Sequence, residues 1–290
     1  MTFLDANLEI PQQIRDILNA NDIDLTNRID ACSNTPLINP EIIPFIIDRI
    51  SLRYDQEIFV CNDSHLCGGT KSRAGYSFLK EKVYQGYREF VYVSPWHGGA
   101  QVALPWLLNI LEKEDGTRRK ATIIIDAYPL TILNELPPYT KIGIMYGANI
   151  IQIPLDQDKF KFAEEYAMKH NALLVRPGFD YPDVVNKIGE CAQQIVKQYG
   201  RFDSCYCAVG SGTLIRGLQS ANIANEYFGV CIFNYCPDIG TAVPIIHYQG
   251  HNEPVRNEDR PPFHSSMFYD AKVFQYVKNR PGKILLWNVM

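Results

Sequence analysis

The stretch "VCNDSHLCGGTKSRAGYSFL", residues 60–79, leads from a short apolar strand through Gly68, Gly69 and Thr70 to Lys71 at the start of a helical pattern. A solvated lysine needs no such setting, whereas an amine that must condense with the carbonyl of a bound aldehyde does. Burial beside such a ligand would also lower the amine's pKa and leave it neutral for attack. Read alone, the segment also fits a surface lysine capping a loop. A second turn, "VGSGTLIRGL", places Gly210, Ser211, Gly212 and Thr213 between a strand and an amphipathic run. Small residues there let backbone N–H groups approach an anion, and the helix amino end adds a favourable field. No Lys-Ser/Thr pair follows, so it is not a P-loop, and the glycines do not make a dinucleotide fingerprint.

The elements that must position these turns are legible as alternation. The apolar runs "EIFVC" (57–61), "EFVYVS" (89–94), "ATIIID" (121–126), "NIIQIP" (149–154), "ALLVRP" (172–177), "SCYCAVG" (204–210), "FGVCIFN" (228–234) and "KILLWNV" (283–289) are rich in β-branched and aromatic residues. Between several of them lie helical patterns such as "GGAQVALPWLLNILEKE" and "YPDVVNKIGECAQQIVKQYG". Near-continuously apolar strands alternating with helices predict an α/β fold whose mostly parallel sheets are covered on both faces. Ligands collect at the carboxyl ends of such strands, which directs attention to loops 62–72, 94–101 and 210–217.

Of the 290 residues, 46% are hydrophobic and 21% charged, as in an ordinary globular protein with a sizeable core. The formal net charge of −4 argues against a face built to hold nucleic acid phosphates. The basic run "GTRRKAT" (116–122) reads as a solvated turn before a strand. No apolar run is long enough to span a membrane, and the start lacks a secretory signal, so a cytoplasmic location is expected. The eight cysteines are scattered, several within strand-like runs, which is how reduced core thiols are placed. Cys205 and Cys207, like Cys61, His65 and Cys67, have spacings that a metal would tolerate. No second close ligand pair follows the first two, and no metal site is expected.

In order along the chain, these pieces resemble the pyridoxal-phosphate enzymes of the tryptophan synthase β-like fold (fold type II), nearest the branch of aminocyclopropane-carboxylate deaminase and D-cysteine desulfhydrase. "SNTPLI" (33–38) is similar to the family's early Thr-Pro-Leu segment, and "GGTKSRA" to its Gly-Gly-Asn-Lys-x-Arg. "YVSPWHGGAQVAL" falls where the family has its Ser-x-x-Asn-His loop, and "KIGIMYGANIIQIP" looks like its Gly-Ala strand. "RPGFDYPDVV" and the turn at 210–213 follow its Pro-Phe-Asp segment and phosphate loop, and "FYDAKVF" (268–274) resembles its Tyr-x-x-Lys. The resemblance covers most of residues 30–290. It implies two interleaved three-layer lobes: 1–75 with 172–290 as the larger, cofactor-binding lobe, and 76–171 as the smaller, substrate lobe. It further implies pyridoxal 5'-phosphate as cofactor on Lys71, a phosphate site at Gly210, Ser211, Gly212 and Thr213, a homodimer, and Tyr269 facing the reaction as an acid or base.

Two positions depart from the family pattern. His97 stands where the family has the asparagine that bonds the cofactor's phenolic oxygen; an imidazole can donate that bond and can also carry a proton. Asn288 is the polar group nearest the position that meets the pyridine nitrogen, and it is equally a strand-end residue. Ser94 and Gln101 are expected at the substrate carboxylate, while Trp96 either walls the pocket or packs. In the proline-rich loop "GHNEPVRNEDRPPFHSS", His251, Arg256, Arg260 and His264 read either as solvated charges or as contacts to a substrate anion. The function expected is a lyase or deaminase acting through Lys71 on a small amino acid. The alternatives are an aminoacyl group carried on a larger substrate such as a modified nucleobase, with nucleic acid as carrier, and a non-catalytic relative that binds a phosphate-bearing ligand.

Overall fold

A computed structural model describes residues 32, 36–127, 137–233, 235–247 and 253–290. Its ten strands are β1 (Ile47–Ile50), β2 (Gln56–Asn62), β3 (Glu89–Val93), β4 (Lys120–Asp126), β5 (Asn149–Ile153), β6 (Leu173–Val175), β7 (Phe202–Val209), β8 (Ala224–Cys231), β9 (Val243–Ile246) and β10 (Gly282–Asn288). They form a six-stranded sheet in the order β1-β2-β10-β7-β8-β9 and a four-stranded sheet in the order β5-β4-β3-β6. Every pairing is parallel except β1 with β2. The expected crossing into the larger lobe at 172 falls before β6, yet β6 pairs β3 through Phe90 opposite Leu173. Sheet membership therefore changes only after Val175.

The helices are α1 (Thr70–Tyr84), α2 (Ala100–Asp115), α3 (Pro138–Met145), α4 (Lys159–His170), α5 (Pro182–Tyr199) and α6 (Thr213–Ser220), with one further turn of helix at Phe274–Val277. Both sheets are covered on both faces, as the apolar runs require. In the larger sheet Phe59, Cys61, Cys205, Leu285 and Trp287 join the main core, while Ile58, Val60, Tyr206, Ile284 and Leu286 face the opposite cluster. The period-2 alternation of side chains sorts them this way. The main core also takes Phe90, Tyr92 and Ile123 from the smaller sheet and Leu79, Trp106, Leu107 and Ile188 from α1, α2 and α5. Those three helices thus pack between the sheets and bring the carboxyl ends of their strands together.

Two expectations are corrected. Cys231 and Cys236 are joined in a disulfide: Cys231 ends β8, and the two Cα atoms lie 5.4 Å apart, within reach of a bridge. The other six cysteines form no disulfide and are buried. Arg119 of the basic run is not solvated: it is buried and pairs with Asp115 at the end of α2. Among the described residues, no helix is long and apolar enough to cross a membrane.

Candidate active site

Three strand-to-helix turns and the end of β10 enclose one cavity of about 760 Å³. The turn after β2 carries the lysine. Gly68 and Gly69 take φ of 80° and 62°, a region that costs other residues dearly. A Cβ on Gly69 would lie 1.9 Å from the Val289 carbonyl oxygen, so no larger residue fits between α1 and β10. Thr70 then donates its N–H to that carbonyl and its hydroxyl to Asp63 at 2.8 Å, while the Trp287 indole donates to the Thr70 hydroxyl at 2.9 Å. Asp63 also pairs with Arg73 at 3.0 Å, both wholly buried, and the guanidinium further donates to the Pro40 and Ile43 carbonyls and stacks on Phe45. Lys71 lies between Thr70 and Arg73, with its backbone fixed by this network, and lines the cavity.

The turn after β7 is built differently. Gly212 has φ 83° and caps α6, and a Cβ there would lie 2.0 Å from the Asp238 carbonyl oxygen. Ser211 and Thr213 share a hydroxyl hydrogen bond of 2.9 Å. Gly178, from the segment after β6, approaches so closely that a Cβ on it would meet the Ser211 hydroxyl at 1.9 Å. The Gly178 N–H donates to the Tyr92 phenol at 2.9 Å, which ties the segment leaving β6 to β3 beside the turn. Gly210, Ser211, Gly212 and Thr213 all line the cavity, and the first N–H groups of α6 have no partners within the helix.

The third turn joins β3 to α2 and contributes Ser94, Trp96, His97, Gly98 and Gly99. The His97 ring stacks in parallel on Phe268, with centroids 4.6 Å apart. Tyr269 lines the cavity next to it, its hydroxyl so close to Gly210 that a Cβ there would lie 2.9 Å from it. Burial, reinforced by the Asp270 carboxylate, holds that phenol well above its ordinary pKa. Burial likewise pushes the Tyr92 phenol up to about 12, against the opposing Gly178 N–H. Both phenols keep their protons near neutral pH.

Two of the expected residues stand outside the cavity lining. Gln101 is wholly buried; its amide donates to the Pro95 and Trp96 carbonyls and accepts from Thr140. The Asn288 amide donates to Asn62 and to the His264 carbonyl and accepts from Ser265. Lys272 of the Tyr-x-x-Lys segment is buried elsewhere, and desolvation lowers its amine to about 8. Arg256, Arg260 and His264 do not line the cavity; His251 and residues 33–35 of the Thr-Pro-Leu segment lie outside the described residues. The reading from sequence missed Tyr92, Gly178, Phe268 and Met290, all of which line the cavity. Of these only Gly178, in "RPGFD", carried a local signal: a glycine in a turn at the carboxyl end of a strand.

No family model matches the chain. A segment of 117 residues is 31% identical to L-threo-3-hydroxyaspartate ammonia-lyase of Saccharomyces cerevisiae; it covers 39% of this chain and 35% of that relative, so the match spans about a third of the curated protein's length. A crystal structure of an ACC deaminase homologue superposes with a TM-score of 0.66 at 15% identity, covering 90% of this chain and 93% of the other. A pyridoxal 5'-phosphate-dependent aspartate racemase gives a TM-score of 0.51 at 12% identity, covering 98% and 80%. These likenesses show a shared fold.

Proposed function

We propose, on the tryptophan synthase β-like fold shared with these structures, that this chain is a pyridoxal-phosphate-dependent lyase or deaminase acting on a small amino acid. The observation that carries the reading is that Lys71 and the Gly210–Thr213 turn line one cavity of about 760 Å³ at the strand ends, within the range of cofactor and ligand sites. The cradle fits the group. The glycines at 178 and 212 are packed too tightly for any Cβ, and the turn presents backbone N–H groups and two hydroxyls at the start of an eight-residue helix, as a phosphate requires. Lys71 would hold the cofactor through its amine, and Gly210, Ser211, Gly212 and Thr213 would hold its phosphate. His97 would meet the ring oxygen. The 31% identity to an enzyme named an ammonia-lyase supports the reaction class.

When bound, the cofactor supplies an electron sink that weakens the bonds at the substrate's α-carbon. The protein's own groups divide the remaining work. The Lys71 amine, which would hold the cofactor, would also be placed to take the proton from the substrate's α-carbon. Ser94 and the amino end of α2 bind the substrate carboxylate. The protonated Tyr269 phenol donates at the β-carbon or to the leaving group, its oxygen packed against Gly210. Phe268, stacked on His97, fixes the imidazole plane and excludes water on that side. The resemblance also supports a homodimer in the cytoplasm, which sedimentation and fractionation would test.

The reading predicts that protein incubated with cofactor releases ammonia from at least one small amino acid and that Lys71→Ala abolishes the release. A protein that stays colourless with excess cofactor contradicts it.

A further inference from the structure

We propose that Trp96 is the specificity-determining residue of this site and confines it to amino acids with small, uncharged side chains. The proposal rests on the functional reading above and adds the substrate class. Trp96 belongs to the turn between β3 and α2, lines the cavity, and is half-buried. It is held at both ends. On the backbone side, the Gln101 amide donates to the Pro95 carbonyl at 2.8 Å and the Trp96 carbonyl at 3.0 Å, and is itself fixed by the Thr140 hydroxyl at 2.7 Å. On the ring side, the indole N–H donates to the Asp126 carbonyl at 3.3 Å, at the end of β4. A ring tied to two elements is a wall, not a lid. It limits what can project from the α-carbon past the turn that holds the carboxylate.

Charge on this side of the cavity points the same way. The Asp126 carboxylate, on the residue whose carbonyl holds the indole, is paired with Lys159. Among the described residues, a charged substrate side chain lying against Trp96 would lose its water and meet at this end of β4 an ion pair already closed on itself. Arg176 is exposed at the rim, its guanidinium over the Tyr181 ring at 5.2 Å, and has no carboxylate partner among the described residues. An acidic side chain would have to reach out to it.

The chain itself supplies a probe that does not depend on turnover. Of its three tryptophans, Trp106 and Trp287 are wholly buried and off the cavity lining, and the part of the ligand-induced quenching that is lost in Trp96→Phe reports on Trp96. Cofactor-loaded protein is titrated with alanine, serine, phenylalanine and aspartate, following indole fluorescence in the parent and in Trp96→Phe, and visible absorbance in all proteins. In the parent, alanine or serine is expected to bind at least about tenfold more tightly than phenylalanine or aspartate, the scale on which pockets discriminate side-chain bulk. Trp96→Ala should shrink the preference over phenylalanine about tenfold, read as the ratio of the two affinities in each protein; Trp96→Phe, which keeps an aromatic wall, should retain most of it. Equal binding of phenylalanine by the parent, or an unchanged ratio in Trp96→Ala, would overturn the proposal. So would tighter binding of aspartate than alanine, which would assign specificity to Arg176. A protein that takes up no cofactor fails the functional reading as well, whereas a loaded protein with an unchanged ratio fails the specificity proposal alone.

Discussion

The turn after β2 and the turn after β7 solve one problem by opposite means. Each must end a buried parallel strand, reverse through glycine and start a helix at the edge of the same cavity. The first is secured by side chains: the buried Asp63–Arg73 pair, the Thr70 hydroxyl and the Trp287 indole. The second is secured by backbone packing, with glycines at 178 and 212 and the Tyr92 phenol accepting from the Gly178 N–H. The difference follows from what each presents. A reactive amine needs a rigid stem, which charged and hydroxylic side chains can anchor from behind. A phosphate needs bare N–H groups, which bulky side chains in the turn would cover, whereas the small hydroxyls of Ser211 and Thr213 can join them.

The comparison breaks most visibly at Asp63. Asp63→Ala leaves the Arg73 charge buried without its partner and should cost about 3–5 kcal/mol in urea unfolding. A loss below about 1 kcal/mol would mean that the first turn does not depend on its ion pair. Next is Gly212→Ala, which places a Cβ against the Asp238 carbonyl at φ 83° and should cost about 1–3 kcal/mol. It should also weaken binding of inorganic phosphate, measured by calorimetry, whereas Asp63→Asn should affect phosphate binding far less.

A smaller effect separates the turns by pH. The Tyr92 phenol, pushed up to about 12, keeps its proton in the folded state while the unfolded chain releases it from about pH 10. The folded state binds more protons in that window, so stability falls as pH rises from about 10 to 12. Tyr92→Phe should cost about 1 kcal/mol at neutral pH through the lost Gly178 bond and should flatten the alkaline decline. An undiminished decline would place its origin elsewhere.

The sequence made the central strands plain because β2, β7 and β10 are covered on both faces and so read as apolar runs. It hid β1 and β9, which are short edge strands; β9 contains Pro244 and leaves Val243 and Ile246 exposed. At the site, the glycine turns were legible because their composition is a local requirement. Gln101 was misleading for a physical reason: a glutamine at a helix start is as well suited to clamp its own loop as to meet a ligand, and burial decides which. Asn288 likewise serves the packing of β10 against Asn62 and Ser265. The Tyr92–Gly178 bond spans 86 positions and joins two segments that only the fold brings together.

The most direct test is borohydride reduction of the protein with pyridoxal 5'-phosphate, followed by peptide mass spectrometry. The account predicts the reduced cofactor's mass on the peptide containing Lys71, with labelling at low cofactor concentration diminished in Gly212→Ala. Label on Lys272 or another lysine, or none on the Lys71 peptide, would contradict it.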